Sequence, residues 1–188
     1  MINHNFKFIF IHIPRTGGTS LEEQFNFNEK VENNKHWSLE DWKQSLDQTT
    51  FNTYLKFTFI RNPWDIIISK YLSSWYNHNR RGGNIGFHSG KTLEYFLEHY
   101  KPAPWEHGDS LLDYFNVDEI DFIGRYENRE NDLNYISEKI KHPIAFNVWV
   151  RSNNKTKHYT EYYNDRTQEI VANRYVKDIE CFKYKFGE

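Results

Sequence analysis

The sequence of 188 residues has one cysteine, Cys181, one methionine, and no surplus of either charge, with 24 Lys and Arg against 26 Asp and Glu. One cysteine cannot build an internal disulfide framework or a multi-cysteine metal site. The histidines, among them His12, His36, His88, His99 and His107, show neither HxxH nor HExxH spacing, so no metal is expected. Balanced charge leaves no global field for a polyanion, and any anion site must be local. No nucleic-acid partner is expected. No apolar run approaches the ~20 residues that span a bilayer, and the opening MINHNFKF lacks a cleavable signal pattern. The expectation is a cytoplasmic protein with no membrane span. Repeats and low-complexity linkers are absent too, which suits one domain over residues 1–188 with a core rich in large rings.

What is present centres on Phe6 to Gln24, FKFIFIHIPRTGGTSLEEQ. The run Phe6–Ile13 is apolar, β-branched and aromatic, the composition of a strand buried on both faces. It stops at Pro14, passes through Arg15, Thr16, Gly17, Gly18, Thr19 and Ser20, and becomes helix-forming LEEQF. Strand, glycine turn, helix is a way to cradle phosphate. Glycines let N–H groups turn inward, a helix start adds partial positive charge, hydroxyls donate, and Arg15 supplies a full charge. The stretch fits neither GxxxxGK[ST] nor GxGxxG. A tight turn with no ligand stays open at this point.

The remaining chain alternates strands and helices. Ser38-Leu39-Glu40-Asp41 reads as a capping box opening a helix through about Leu46, with Leu39, Trp42 and Leu46 on one face. Tyr54–Ile60 is a second strand, ending at Arg61. Asn62 and Pro63 then cap and start a helix with Ile67, Tyr71 and Trp75 as its buried stripe through about Tyr76. The glycine-rich Asn77–Lys91 reads as a loop, Thr92–Tyr100 as a short helix, and Ile120–Gly124 as a third strand. Asn131–Lys141 is amphipathic, and Asp165 caps a last helix from Arg166 to about Phe182. This order predicts an α/β fold with a mostly parallel sheet flanked by helices.

Three groups could carry chemistry. The first is the cradle. The second is Arg61, at a strand end, with Ser69 two turns into the next helix, a sound pair for a second phosphate. The third is His36, just before the Ser38 cap, where an imidazole could act as a general base. Its alternative is an ordinary surface histidine. His12 is placed beside the cradle, where it could brace the loop.

FIHIPRTGGTSLEE resembles the 5′-phosphosulfate loop of sulfotransferases that use 3′-phosphoadenosine 5′-phosphosulfate (PAPS), and FTFIRNPWDIIISKYLSSW resembles their 3′-phosphate segment. FIGRYENRENDL and HYTEYYNDRTQEIVANRYVKDIECFKYKF are similar to segments of the carbohydrate branch, that of the heparan sulfate 2-O- and 6-O-sulfotransferases and their bacterial and viral relatives. The resemblance implies a P-loop-like three-layer sandwich. It implies Arg15, Thr16, Gly17, Gly18, Thr19 and Ser20 at the 5′-phosphosulfate, Arg61 and Ser69 at the 3′-phosphate, and Lys155 and Lys157 closing over the nucleotide. His36 and Arg15 would be catalytic, the acceptor a small molecule or glycan, and the product 3′-phosphoadenosine 5′-phosphate (PAP). The family usually has Lys where this chain has Arg15. Arg keeps the charge and grips two oxygens but is bulkier. The acceptor is expected against Asn77–Lys91 and the segment near Trp105. A nucleotide kinase, or a module that binds nucleotide or glycan without turnover, is the alternative.

Overall fold

The computed structural model describes residues 1–25, 34–81, 91–103, 106–145 and 157–188. In chain order the first elements are β1 (Ile2–Asn3), β2 (Phe8–Ile11), α1 (Gly18–Gln24), α2 (Leu39–Ser45), α3 (Gln48–Thr53) and β3 (Leu55–Ile60). Then come α4 (Pro63–Arg81), α5 (Leu93–His99), β4 (Phe122–Arg125), α6 (Arg129–Ile140), α7 (Asp165–Arg174) and α8 (Val176–Phe182). The chain divides into two compact units: Met1–Arg61 with Pro104–Arg151, and Asn62–Ala103 with Ser152–Glu188.

The first unit holds a four-stranded sheet in the order β1-β2-β3-β4, antiparallel at β1/β2 and parallel thereafter. This is the expected mostly parallel α/β sheet flanked by helices. All four residues of β2, FIFI, are buried, as a central strand requires. Phe8 and Phe10 of β2 and Phe57 and Phe59 of β3 form one core with Leu21 of α1 and Leu133, Ile136 and Ile140 of α6. Gly124 lies opposite Phe59 in the β3/β4 register, and a Cβ there would come within 2.5 Å of the Phe59 ring. Only glycine leaves room for that ring. Ser38 caps α2 through the foreseen capping box, accepting from the Asp41 N–H while Asp41 accepts from the Ser38 N–H. Among the strands and α-helices of this unit, two escaped the sequence. β1 is two residues long, too short to show alternation. α3 carries one buried apolar residue, Phe51, and its signal is the Asp47 cap on Thr50 N–H.

The second unit is tied together by side chains bonding to backbone. Trp64 Nε1 donates to Gln168 O at 3.1 Å, Tyr163 Oη to Trp64 O at 2.8 Å, and Arg174 Nη2 to Leu97 O at 2.7 Å. Asn62 starts α4 as expected, its Oδ1 accepting from Trp64 N–H. The helix runs on to Arg81, past the predicted end at Tyr76, because Asn77–Arg81 contains nothing that breaks a helix before the Gly82-Gly83 pair. From Pro63 to Lys70 every residue is buried, so a one-sided stripe does not describe this stretch. The long last helix is instead two helices parted at Tyr175 (φ −109°, ψ 24°), whose ring is buried. Its cap is Asn164, one residue earlier than predicted, because Asn164 and Thr167 satisfy each other's N–H groups. Among the described residues no helix is long and apolar enough to cross a membrane.

Candidate active site

The turn between β2 and α1 contains two residues with left-handed backbone, Gly17 (φ 88°) and Arg15 (φ 72°). Glycine adopts this conformation freely, whereas an arginine held there costs on the order of 1–3 kcal/mol and needs support from its surroundings. Part of that support is visible. Arg61, buried at the end of β3, donates from Nη1 to the Arg15 carbonyl at 2.9 Å. Its guanidinium stacks 4.0 Å from the centre of the Tyr126 ring. Thr16 closes the turn by donating from Oγ1 to the Ile13 carbonyl at 2.8 Å. A hydroxyl has one proton, so this arrangement gives Thr16's to the turn rather than to a ligand. The N-cap is Gly17, which has no side chain to cap the first turn of α1, so among the described residues no cap side chain takes up its leading N–H groups. Ser20 is buried there, and Thr19 is half-buried.

Both glycines are packed against something. A Cβ on Gly18 would lie 2.2 Å from His12 Cδ2, and one on Gly17 would lie 3.1 Å from Tyr126 Cε2 and 3.5 Å from Arg129 Nη1. The backbone of the turn is therefore packed on an imidazole at Gly18 and on a phenol ring with a guanidinium at Gly17. His12 does lie beside the cradle, as its place in the sequence suggests, with its ring only 3% exposed.

Behind His12 stands a buried ionic chain. His12 Nδ1 and Glu22 Oε1 share a hydrogen bond of 2.8 Å, and Lys35 Nζ lies 3.5 Å from Glu22 Oε2. Burial raises Glu22's affinity for its proton, and the Lys35 charge works against that rise. His36 meets this chain directly. Its ring centre is 4.6 Å from that of His12, and its Nδ1 lies 2.9 Å from the His12 carbonyl oxygen. A carbonyl only accepts, so Nδ1 carries the proton and Nε2 carries the lone pair. Burial, with the neighbouring His12 as the next cause, holds the His36 pKa down to about 3. The imidazole is neutral at neutral pH.

The first unit thus brings together Arg15–Ser20, Arg61 and His36. The other sequence candidates that the structure describes belong to the second unit. Ser69 is buried in α4 of the second unit, and Lys157 in that unit donates to Glu161 O at 2.9 Å and packs on the Tyr162 ring. Lys155, Trp105 and most of Asn77–Lys91 lie outside the described residues; 77–81 belong to α4. Glu22, Lys35, Tyr126 and Arg129 went unnoticed in the sequence. Glu22 looks like any helix surface acid, and only Arg129 carried a readable signal, a cation at the first position of a helix.

The chain is 30% identical over 110 residues to an uncharacterized protein of Archaeoglobus fulgidus, covering 58% of this chain and 87% of that one. It is 26% identical over 157 residues to carbohydrate sulfotransferase 9 of Homo sapiens, covering 70% of this chain but 34% of that one. The chain therefore spans about a third of the human relative's length. No solved structure matches it significantly. The sequence model of the sulfotransferase family matches residues 1–185, nearly the whole length, and the chain belongs to that family.

Proposed function

We propose that the chain transfers a sulfuryl group from PAPS to a hydroxyl of a carbohydrate, within one sulfotransferase-like domain, with His36 as general base. The observation that carries this reading is the place of His12. Its ring braces the Gly18 corner of the turn while its carbonyl holds His36 in a single tautomer, so one residue ties the anion cradle to the base. The turn suits an anionic nucleotide end: Gly17 and Gly18 carry no side chain of their own, and a guanidinium is anchored beside it.

PAPS, when bound, supplies an activated sulfuryl group; the acceptor oxygen bonds to sulfur as the bond to the bridging phosphate oxygen breaks and its electron pair leaves with PAP. The chain's own residues have three tasks. Arg15 and the N–H groups of Gly17, Gly18, Thr19 and Ser20 hold the phosphosulfate end and offset the charge that builds there. Arg61 takes the 3′-phosphate; Ser69, Lys155 and Lys157 join it on the likeness of their segments alone. His36 takes the acceptor's proton at Nε2.

A pKa near 3 makes His36 a weak base before ligands arrive. Nearby negative charge favours an imidazolium, as the Glu22 carboxylate already does on a small scale. An anionic donor in the cradle acts in the same direction, so the base gains strength when the site is filled. No metal enters this scheme.

Calorimetric titration with PAP, and with ATP and magnesium as the comparison, tests the donor class. The expected result is micromolar binding of PAP and none of ATP. ATP binding better than PAP would favour a phosphotransferase, and neither binding would remove the nucleotide reading.

A further inference from the structure

The turn between β4 and α6 meets the cradle at Gly17, the residue next to the Gly18 that His12 braces. The carboxylate of Asp132 braces it, accepting from Arg125 N–H at 2.6 Å and from Asn128 Nδ2 at 2.9 Å. With that brace the Tyr126 ring edge and the Arg129 guanidinium both come against Gly17. Arg129 is the first residue of α6, a 12-residue helix. A cation there opposes the helix dipole, which favours anions at that end. Glu130 and Asp132 in the same turn follow the rule, and Arg129 breaks it. Helix stability does not account for an arginine at this position.

We propose that Arg129 is a second guanidinium ligand for the anion held by the Arg15–Ser20 turn, gripping the 5′-phosphate end of the nucleotide beside Gly17. Arg61 reaches the same turn from the end of β3, so one guanidinium from beside β3 and one from the start of α6 both come to it. Burial lowers Arg129's affinity for its proton, as expected of a guanidinium short of water, and an arriving phosphate would replace that water. The assignment rests on the nucleotide reading above and adds to it which end of the nucleotide this arginine holds.

The experiment compares wild type, Arg129→Gln and Arg129→Lys by calorimetry against PAP, adenosine 5′-phosphate and adenosine 3′-phosphate, with thermal melts of each protein. The expected result is that Arg129→Gln weakens PAP and the 5′-phosphate by about tenfold or more and leaves the 3′-phosphate within about twofold. Arg129→Lys should recover part of the loss, keeping charge without the fork. Unchanged binding of all three probes overturns the proposal. So does an equal loss on all three with a lowered melting temperature, which would make Arg129 structural. Wild type that binds none of the probes overturns the nucleotide reading, and this assignment with it.

Discussion

The two corners of the β2–α1 turn are built from different chemistry. At Gly18 the turn rests on His12, and behind it stand Glu22, Lys35 and His36, where burial raises Glu22's hold on its proton and lowers that of His36. At Gly17 it rests on Tyr126 and Arg129, with Arg61 stacked on the same ring. Guanidinium groups keep their charge at any ordinary pH. One corner can move a proton, and the other can only hold negative charge. A group-transfer site needs both, and here the two meet across consecutive glycines.

The sharpest break is to remove one function at a time. His36→Ala should lower kcat by roughly 10²–10⁴-fold, the usual weight of a general base, while PAP binding stays within a few-fold. Arg61→Ala should do the reverse, weakening PAP strongly because the Arg15 carbonyl loses its donor and the proposed 3′-phosphate site its cation. Steady-state kinetics beside calorimetry checks the pair. Normal turnover in His36→Ala would end its role as base.

The corners should also differ in how they tolerate a methyl group. Gly18→Ala puts Cβ 2.2 Å from a buried imidazole with no room to yield, and about 3 kcal/mol of stability should be lost. Gly17→Ala meets the Tyr126 ring at 3.1 Å and keeps a left-handed backbone, for about 1–2 kcal/mol. Urea midpoints measure both. The order matters more than the values; Gly17→Ala costing more than Gly18→Ala would mean that His12 is not the rigid wall.

How far the sequence showed this site follows from which residues carry local signals. The strand FIFI, the turn Arg15–Ser20 and the Ser38 cap announce themselves in consecutive residues, and the sheet follows from them. Arg61 was visible because Asn62-Pro63 marks a helix start beside it. Glu22 and Lys35 were not, since a buried ion pair has no periodicity and each residue alone reads as surface charge. Arg129 became meaningful only when the β3/β4 pairing set the β4–α6 turn beside Gly17. The break at Tyr175 was hidden for a related reason: the helical repeat continues through it, and only the structure shows the backbone leaving helical angles there.

Removing Glu22 probes the bracing at Gly18. Glu22→Ala leaves His12 Nδ1 without its carboxylate in a buried place and should cost about 2 kcal/mol, the weight of an unsatisfied buried donor. Glu22→Gln keeps an oxygen to accept from Nδ1–H and drops a charge that burial already penalises, so its cost should stay below about 1 kcal/mol. Equal losses would show that charge, rather than the hydrogen bond, holds His12.

The smallest effect concerns acid stability. His36 binds a proton in the folded protein only near pH 3, whereas an unfolded histidine does so near its ordinary 6.5. Between those values the unfolded chain holds more protons, so stability that is present above about pH 6.5 drains away as pH falls toward 3. Glu22 pulls the other way, because its raised proton affinity adds stability as pH falls through its folded value toward 4.5. Comparing wild type with His36→Gln largely cancels the Glu22 contribution, which both proteins share. The difference in stability, wild type minus variant, should be constant above pH 7 and decline steadily from pH 6 to pH 4 in urea titrations. A difference that stays flat over that range would mean His36 is open enough to water to titrate normally, and the tautomer fixed by the His12 carbonyl would then be too loosely held to serve as the base.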